Sequence, residues 1–202
     1  PSNIMGASKR LCEKYIQRIS NSSKHTIFSI VRFGNVLGST GSVVPLFEKQ
    51  IKKGGPITIT DPNVTRYFMT IREAVELVLI SSQLKKIENG GIFILEMGES
   101  VLIKDLAKRI INLSGKNENE IKIEYIGLRK GEKVSEKLFF EKEKIEKTII
   151  PGILHTKEKL YEIDTSSYEN LSSLITKNNV DAIIKKFKEM VPEYKASDEN
   201  KN

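Results

Sequence analysis

Short β-branched runs alternate with amphipathic helical stripes along most of this chain, and that alternation limits it to a mixed α/β fold. Ile27 to Arg32, Ile57-Thr58-Ile59, Tyr67-Phe68-Met69, Ile92 to Leu95 and Ile121 to Ile126 read as strands. Residues 4–19 read as a helix with Leu11, Tyr15, Ile16 and Ile19 inward and Lys14, Gln17 and Arg18 outward. A second helix runs from about Val43 to Lys53 and stops at Gly54-Gly55. Thr70 and Glu73 form a capping box ahead of a helix carrying Ala74, Val75, Val78 and Leu79. Ile103, Leu106, Ala107, Ile110 and Leu113 give another stripe, ending at Gly115. A further helix is expected from about Glu132, and a last one over Val180, Ile183, Ile184 and Phe187. Residues 142–178 are mostly polar and show no clear period.

Composition narrows the function more than the fold. With 39% apolar and 29% charged residues, a 202-residue chain can bury a core. The net charge of +7 is spread among interleaved signs, as in Lys142-Glu143-Lys144-Ile145-Glu146-Lys147, which reads as solvated surface. No basic stretch is interleaved with aromatics, so no nucleic-acid partner is expected. Cys12 is the single cysteine and is expected to be buried filler. His25 and His155 lie far apart in loop-like contexts, so no metal site is expected. No apolar run reaches membrane-spanning length and no signal peptide is present. The chain does not begin with methionine and reads as a processed or truncated piece, cytoplasmic in location.

A few positions carry chemistry. Met5 and Lys9 are four residues apart, so they share one helix face. Asn35 follows a strand end, where α/β ligands bind, and its amide can donate to and accept from a sugar or phosphate. The same asparagine could instead support a turn. Gly34, Gly38 and Gly41 are spaced G-x-x-x-G-x-x-G, which is not the dinucleotide fingerprint; they allow close backbone approach, and Ser42 and Val43 open the next helix. Arg66 offers a planar fork to a diphosphate or an ion pair to Asp61. Arg129 and Glu132 bracket a turn at Lys130-Gly131, and a salt bridge between them is the plain structural alternative.

Read together, these segments resemble one family. Pro1-Ser-Asn-Ile-Met-Gly-Ala-Ser-Lys-Arg10 and Arg32-Phe-Gly-Asn-Val-Leu-Gly38 are followed by Gly55-Pro-Ile-Thr-Ile-Thr-Asp-Pro62 and Thr65-Arg-Tyr-Phe-Met-Thr-Ile71. Gly127-Leu-Arg-Lys-Gly-Glu-Lys133 and Val191-Pro-Glu-Tyr194 complete the set. The chain is similar to the C-terminal part of the polysaccharide-biosynthesis nucleotide-sugar epimerases and dehydratases, a branch of the extended short-chain dehydrogenase/reductases. In the branch resembled, methionine stands where most of the superfamily has the catalytic tyrosine of Tyr-x-x-x-Lys. Lys130 replaces the proline of the family's Arg-Pro-Gly-Glu turn.

The resemblance implies the C-terminal portion of a Rossmann-like fold, with an incomplete parallel sheet and a smaller α+β substrate region. Residues 1–54 would belong to the NAD-binding domain and 55–194 mainly to the substrate region. Elements at about 70–96 would return to the sheet, and 195–202 would form a disordered tail. It further implies a UDP-N-acetylglucosamine 4,6-dehydratase using NAD as an internal hydride shuttle. C4 is oxidised, the C5 proton and C6 hydroxyl are lost as water, and hydride returns to C6. Lys9 would hold the nicotinamide ribose, beside Met5 at the tyrosine position. Asn35, Ser42, Val43, Arg66, Arg129 and Glu132 would hold the UDP-sugar, with Glu132 on the ribose hydroxyls and Arg129 on phosphate. A thioether gives no proton, so the family's acid/base residues are expected in a Thr-Asp-Lys stretch upstream of Pro1, along with membrane helices that anchor full-length relatives. The isolated piece is expected to be inactive. A 4-epimerase or an inactive nucleotide-sugar-binding remnant remains the alternative, and a homo-oligomer is open.

Overall fold

The computed structural model describes residues 1–39, 41–84, 89–139, 143–156 and 163–196. Helix α1, Ile4–Ser22, opens the chain, and strand β1, Ser29–Arg32, returns beside it. After the short β2, Asn35–Val36, comes α2, Val43–Lys52, with Ser42 at its N-cap. Pro45 is tolerated because it falls in the first turn, where a missing N–H costs nothing. Gly54 and Gly55 close the helix at positive φ, their amides donating to Ile51 and Gln50 carbonyls.

Strands β3 (Ile57–Ile59), β4 (Thr65–Arg66) and β5 (Phe68–Met69) lead into α3, Ile71–Gln83. The capping box forms as the sequence predicts, with the Glu73 amide donating to Thr70 Oγ1 and the Thr70 amide donating to the Glu73 carboxylate. Then follow β6 (Gly91–Leu95), β7 (Val101–Leu102), α4 (Ile103–Leu113) and β8 (Ile123–Tyr125). The last third holds β9 (Ile145–Lys147), β10 (Ile153–Thr156), α5 (Thr165–Thr176) and α6 (Val180–Met190).

The main sheet has the order β1-β6-β10-β9, with β1 parallel to β6 and the other two pairings antiparallel. β6 is buried on both faces. Ile92 and Ile94 pack with Leu154 and Ile145 on one side, and Phe93 meets Leu77 of α3 and Ile153 on the other. That explains its continuous apolar run without alternation. Beyond β1 the sheet has no further strand among the described residues. A second core joins Phe47 and Ile51 of α2, Ile57 and Ile59 of β3, and Ala107 and Ile111 of α4. A third joins Ala7 and Leu11 of α1 to Leu171 of α5 and to Phe187, Met190 and Val191.

Several expectations are corrected. No helix follows Glu132; residues 131–139 run as turns and bends, and the Val134 carbonyl accepts the Thr65 amide and Arg66 instead of a helical N–H. The polar stretch after 142 contains β9, β10 and α5, and His155 lies buried in β10 rather than in a loop. On α3 the buried positions are Ala74, Leu77 and Ser81, whereas Val75 and Leu79 are exposed. On α4 Leu113 is 87% exposed and Ile111 takes the core position. On α1 Lys14 is buried and Tyr15 is exposed, the reverse of the periodicity reading. The tail residues 197–202 lie outside the described residues. No helix among the described residues is long and apolar enough to cross a membrane.

Ile111→Ala should cost about 2–5 kcal/mol in urea unfolding, as a large-to-small change in a closed core. Leu113→Ala should stay within about 0.5 kcal/mol of wild type, as an exposed change.

Candidate functional site

Helix α1 begins where Asn3, in extended geometry, accepts the Gly6 amide on its side chain at 2.8 Å. Two turns of the helix then present Met5, Lys9 and Cys12 to one wall of an open groove of about 670 Å³. The floor is β1 and its continuation, Ile30 to Asn35, and the opposite wall carries Lys133, Glu136 and Lys137. Met5 is 62% exposed. Cys12 is exposed too, which corrects its reading as buried filler.

The loop that brings Asn35 to the groove is pinned by its backbone. The Asn35 amide donates to the Tyr67 carbonyl and the Leu37 amide to the Met69 carbonyl, each at 2.8 Å, so β2 lies parallel to β5. Gly34 has no alternative residue here, since a Cβ would stand 2.8 Å from both Cβ and O of Tyr67.

Beneath the groove lies a ring of charges. Glu13 takes Arg32 in a fork, Nε at 2.5 Å and Nη2 at 2.8 Å, and also accepts Arg10 Nη1 at 3.0 Å. Glu143 closes the ring, accepting Arg32 at 2.8 Å and Arg10 at 3.4 Å. Arg10 Nε reaches Glu193 at 2.8 Å, and Lys14 adds bonds to Glu193 and to the Met190 carbonyl. The Glu143 side chain is fully buried, so this part of the stretch read as solvated surface is interior. Burial opposes the charge on Arg32, but its hydrogen bonds to Glu13 and Glu143 outweigh that and raise its pKa further. For Glu193, burial pushes the pKa up and the Arg10 hydrogen bond brings it below the ordinary carboxylate value.

Arg66 and Glu132 meet at one end of the groove wall. Arg66 pairs with Glu132 and Glu136, each at 3.4 Å, and donates to the Thr65 and Val134 carbonyls. Glu132 also accepts Thr60 Oγ1 at 2.8 Å and the Arg129 backbone amide at 3.1 Å. Thus Arg66 pairs with Glu132 rather than with Asp61, whose carboxylate accepts the Asn63 amide instead. Arg129 engages Glu132 through its backbone, and its side chain is exposed. Glu136 joins this cluster to the groove it lines.

Of the sequence-predicted residues, Met5, Lys9 and Asn35 converge on one groove, and Arg66, Arg129 and Glu132 form the adjoining cluster. Ser42 and Val43 join neither. Ser42 caps α2 with its hydroxyl buried and unpartnered, and Val43 packs against the core of α2 and α4. Sequence reasoning missed Arg10, Glu13, Arg32, Lys133 and Glu143. Arg10, Arg32 and Lys133 stand inside the recognised motifs, which was a usable signal; Glu143 carried none. Among the described residues no cluster of His, Cys, Asp and Glu could hold a metal ion.

The family described as polysaccharide biosynthesis protein matches residues 1–158 of this chain. The chain belongs to that family. Its α/β fold, with β1 parallel to β6, is Rossmann-like and similar to that of the UDP-N-acetylglucosamine 4-epimerase from Methanobrevibacter ruminantium, with a TM-score of 0.53 at 21% identity over 67% of this chain and 44% of that one. It is 54% identical over 143 residues to the capsular polysaccharide biosynthesis protein CapD of Staphylococcus aureus, covering 71% of this chain and 24% of CapD. It is 40% identical over 140 residues to a UDP-glucose 4-epimerase of Rickettsia canadensis, covering 68% of this chain and 39% of that enzyme. Among solved structures, Pen from Bacillus thuringiensis superposes with a TM-score of 0.70 at 37% identity, over 80% of this chain and 50% of Pen. This polysaccharide-biosynthesis chain therefore spans about a quarter of the length of CapD.

The charge ring makes two testable demands. Arg32→Met takes from Glu13 and from buried Glu143 the guanidinium they share at 2.5–2.8 Å, and should cost about 3–5 kcal/mol in urea unfolding. Because Glu193 titrates below its unfolded value, its contribution to stability is present above the ordinary glutamate pKa and lost as pH falls through its lowered one. Thermal unfolding followed from neutral pH to pH 3 should fall less steeply in Glu193→Gln than in wild type.

Proposed function

We propose that this chain forms the substrate side of an NAD-dependent nucleotide-sugar 4,6-dehydratase of the UDP-N-acetylglucosamine type, serving surface-polysaccharide synthesis. The observation that carries the reading is the convergence of Lys9 and Asn35 on one groove at the carboxyl end of parallel strand β1. In parallel α/β sheets that edge is where ligands are held.

The groove fits one end of a dinucleotide. It is open and flanked by the Lys9 cation, and no ion pair of Lys9 is present among the described residues. Lys9 would hold the nicotinamide ribose by its ammonium, while the remainder of such a site would come from residues outside this chain. NAD, when bound, supplies reversible acceptance and return of the hydride that makes the reaction redox-neutral overall. Asn35 would orient the sugar with an amide able both to donate and to accept. Glu132 would accept the uridine ribose hydroxyls and Arg66 and Arg129 would meet the diphosphate. The Arg66–Glu132 pair holds these groups in a partly desolvated, preformed cluster.

Met5 cannot carry a proton, so it shapes the groove beside the sugar without titrating. Proton transfer at the C4 hydroxyl then belongs to a group outside the Met5–Lys9 pair. The second reading, a 4-epimerase, is favoured by the 40% identity to the Rickettsia canadensis enzyme.

The full-length gene product incubated with UDP-N-acetylglucosamine should give a 4-keto-6-deoxy product lighter by one water, seen by mass spectrometry. A product of unchanged mass would assign the epimerase instead. Lys9→Met should lower kcat/KM by on the order of 10²-fold, since it loosens the hold on a reacting partner. Undiminished turnover in that variant contradicts the assignment of Lys9.

A further inference from the structure

Asn3 is joined to two parts of the site by the two ends of one side-chain amide. Its Oδ1 accepts the Gly6 amide at 2.8 Å, capping α1. Its Nδ2 donates to the Gly131 carbonyl at 2.9 Å, across 128 residues of sequence. The two partners fix the orientation of the amide, because the Gly6 N–H requires an acceptor and the Gly131 carbonyl requires a donor. Ser2 Oγ adds a long bond to the same carbonyl at 3.4 Å.

The contact is as close as a backbone can make it. Gly131 holds φ +77°, and a Cβ on it would stand 2.7 Å from Asn3 Cβ. Only glycine allows the turn to lie flat on Asn3. The next residue is Glu132, whose amide bonds back to the Arg129 carbonyl at 2.9 Å. On the other side of Asn3, less than two turns along α1, stands Lys9.

We propose that Asn3 is a positioning residue that bolts the Arg129–Glu132 turn to the first turn of α1, so that the nucleotide end and the Lys9 end of the groove form one rigid unit. The proposal rests on the reading of that turn as the nucleotide site. It assigns to Asn3 a role separable from helix capping, since aspartate caps as well as asparagine but has no N–H for the Gly131 carbonyl.

The test uses the full-length gene product with Asn3→Asp, and Asn3→Ser as a second variant that keeps a capping oxygen on a shorter side chain. Hydrogen exchange should speed up at least tenfold at the Glu132 amide in both variants, with α1 amides unchanged. Isothermal titration with UDP should show at least fivefold weaker binding. That loss should be smaller when Glu132→Gln is already present, because Glu132 is one of the nucleotide contacts that Asn3 positions. Unchanged exchange at residues 129–133, unchanged UDP affinity, or losses that add in the double variant would each overturn the proposal. Wild-type protein that ignores UDP would instead remove the nucleotide reading of the turn, while the exchange data still decide whether Asn3 bolts it.

Discussion

The ring of Arg10, Glu13, Arg32 and Glu143 is the constraint on which the rest of the structure depends. Arg10 follows Lys9 on α1, and Arg32 ends the strand that runs on to Asn35, so the ring fixes the distance between the two sides of the groove. Its extension through Glu193 and Lys14 ties the end of the described chain to the same helix. Buried charges contribute little net stability over a well-packed apolar alternative, but a half-broken set is costly. The ring therefore imposes register. α1 cannot rotate or slide on β1 without parting charges that are paired in this register.

The groove has a mixed character that follows from the same geometry. Its floor is the outer edge of β1, which pairs with β6 alone among the described residues. Parallel strands are stable only when covered on both faces and paired, so the edge and the groove are best completed together. Lys9 and Asn35 stand at the end of this edge and line the groove. The Arg66–Glu132–Glu136 cluster lies at the flank and presents two carboxylates around one guanidinium.

Much of this was legible in the sequence. The Thr70–Glu73 box, the double glycine after α2 and the unbroken apolar run of β6 each obey local rules that tertiary structure did not override. So did the pairing of Met5 with Lys9 and the place of Asn35 after a strand. What failed was the inference from charge to exposure at Lys14 and Glu143, while Lys144, Glu146 and Lys147 of the same interleaved run are exposed. Lys14 and Glu143 are buried because their partners arrive from residues more than a hundred positions away, which no local period reveals. Cys12 and Val75 fail in the opposite sense, apolar in type yet exposed. The helix expected after Glu132 is also absent, and the turn before it packs on Asn3, again a partner distant in sequence.

Amide chemical-shift mapping of the gene product during UDP-N-acetylglucosamine titration tests the central claim most directly. The account predicts saturable shifts at Lys9, Asn35, Arg66 and the 129–133 turn, with α5 and the outer face of α6 silent. Shifts confined to other surfaces, or none at all at saturating ligand, would contradict it.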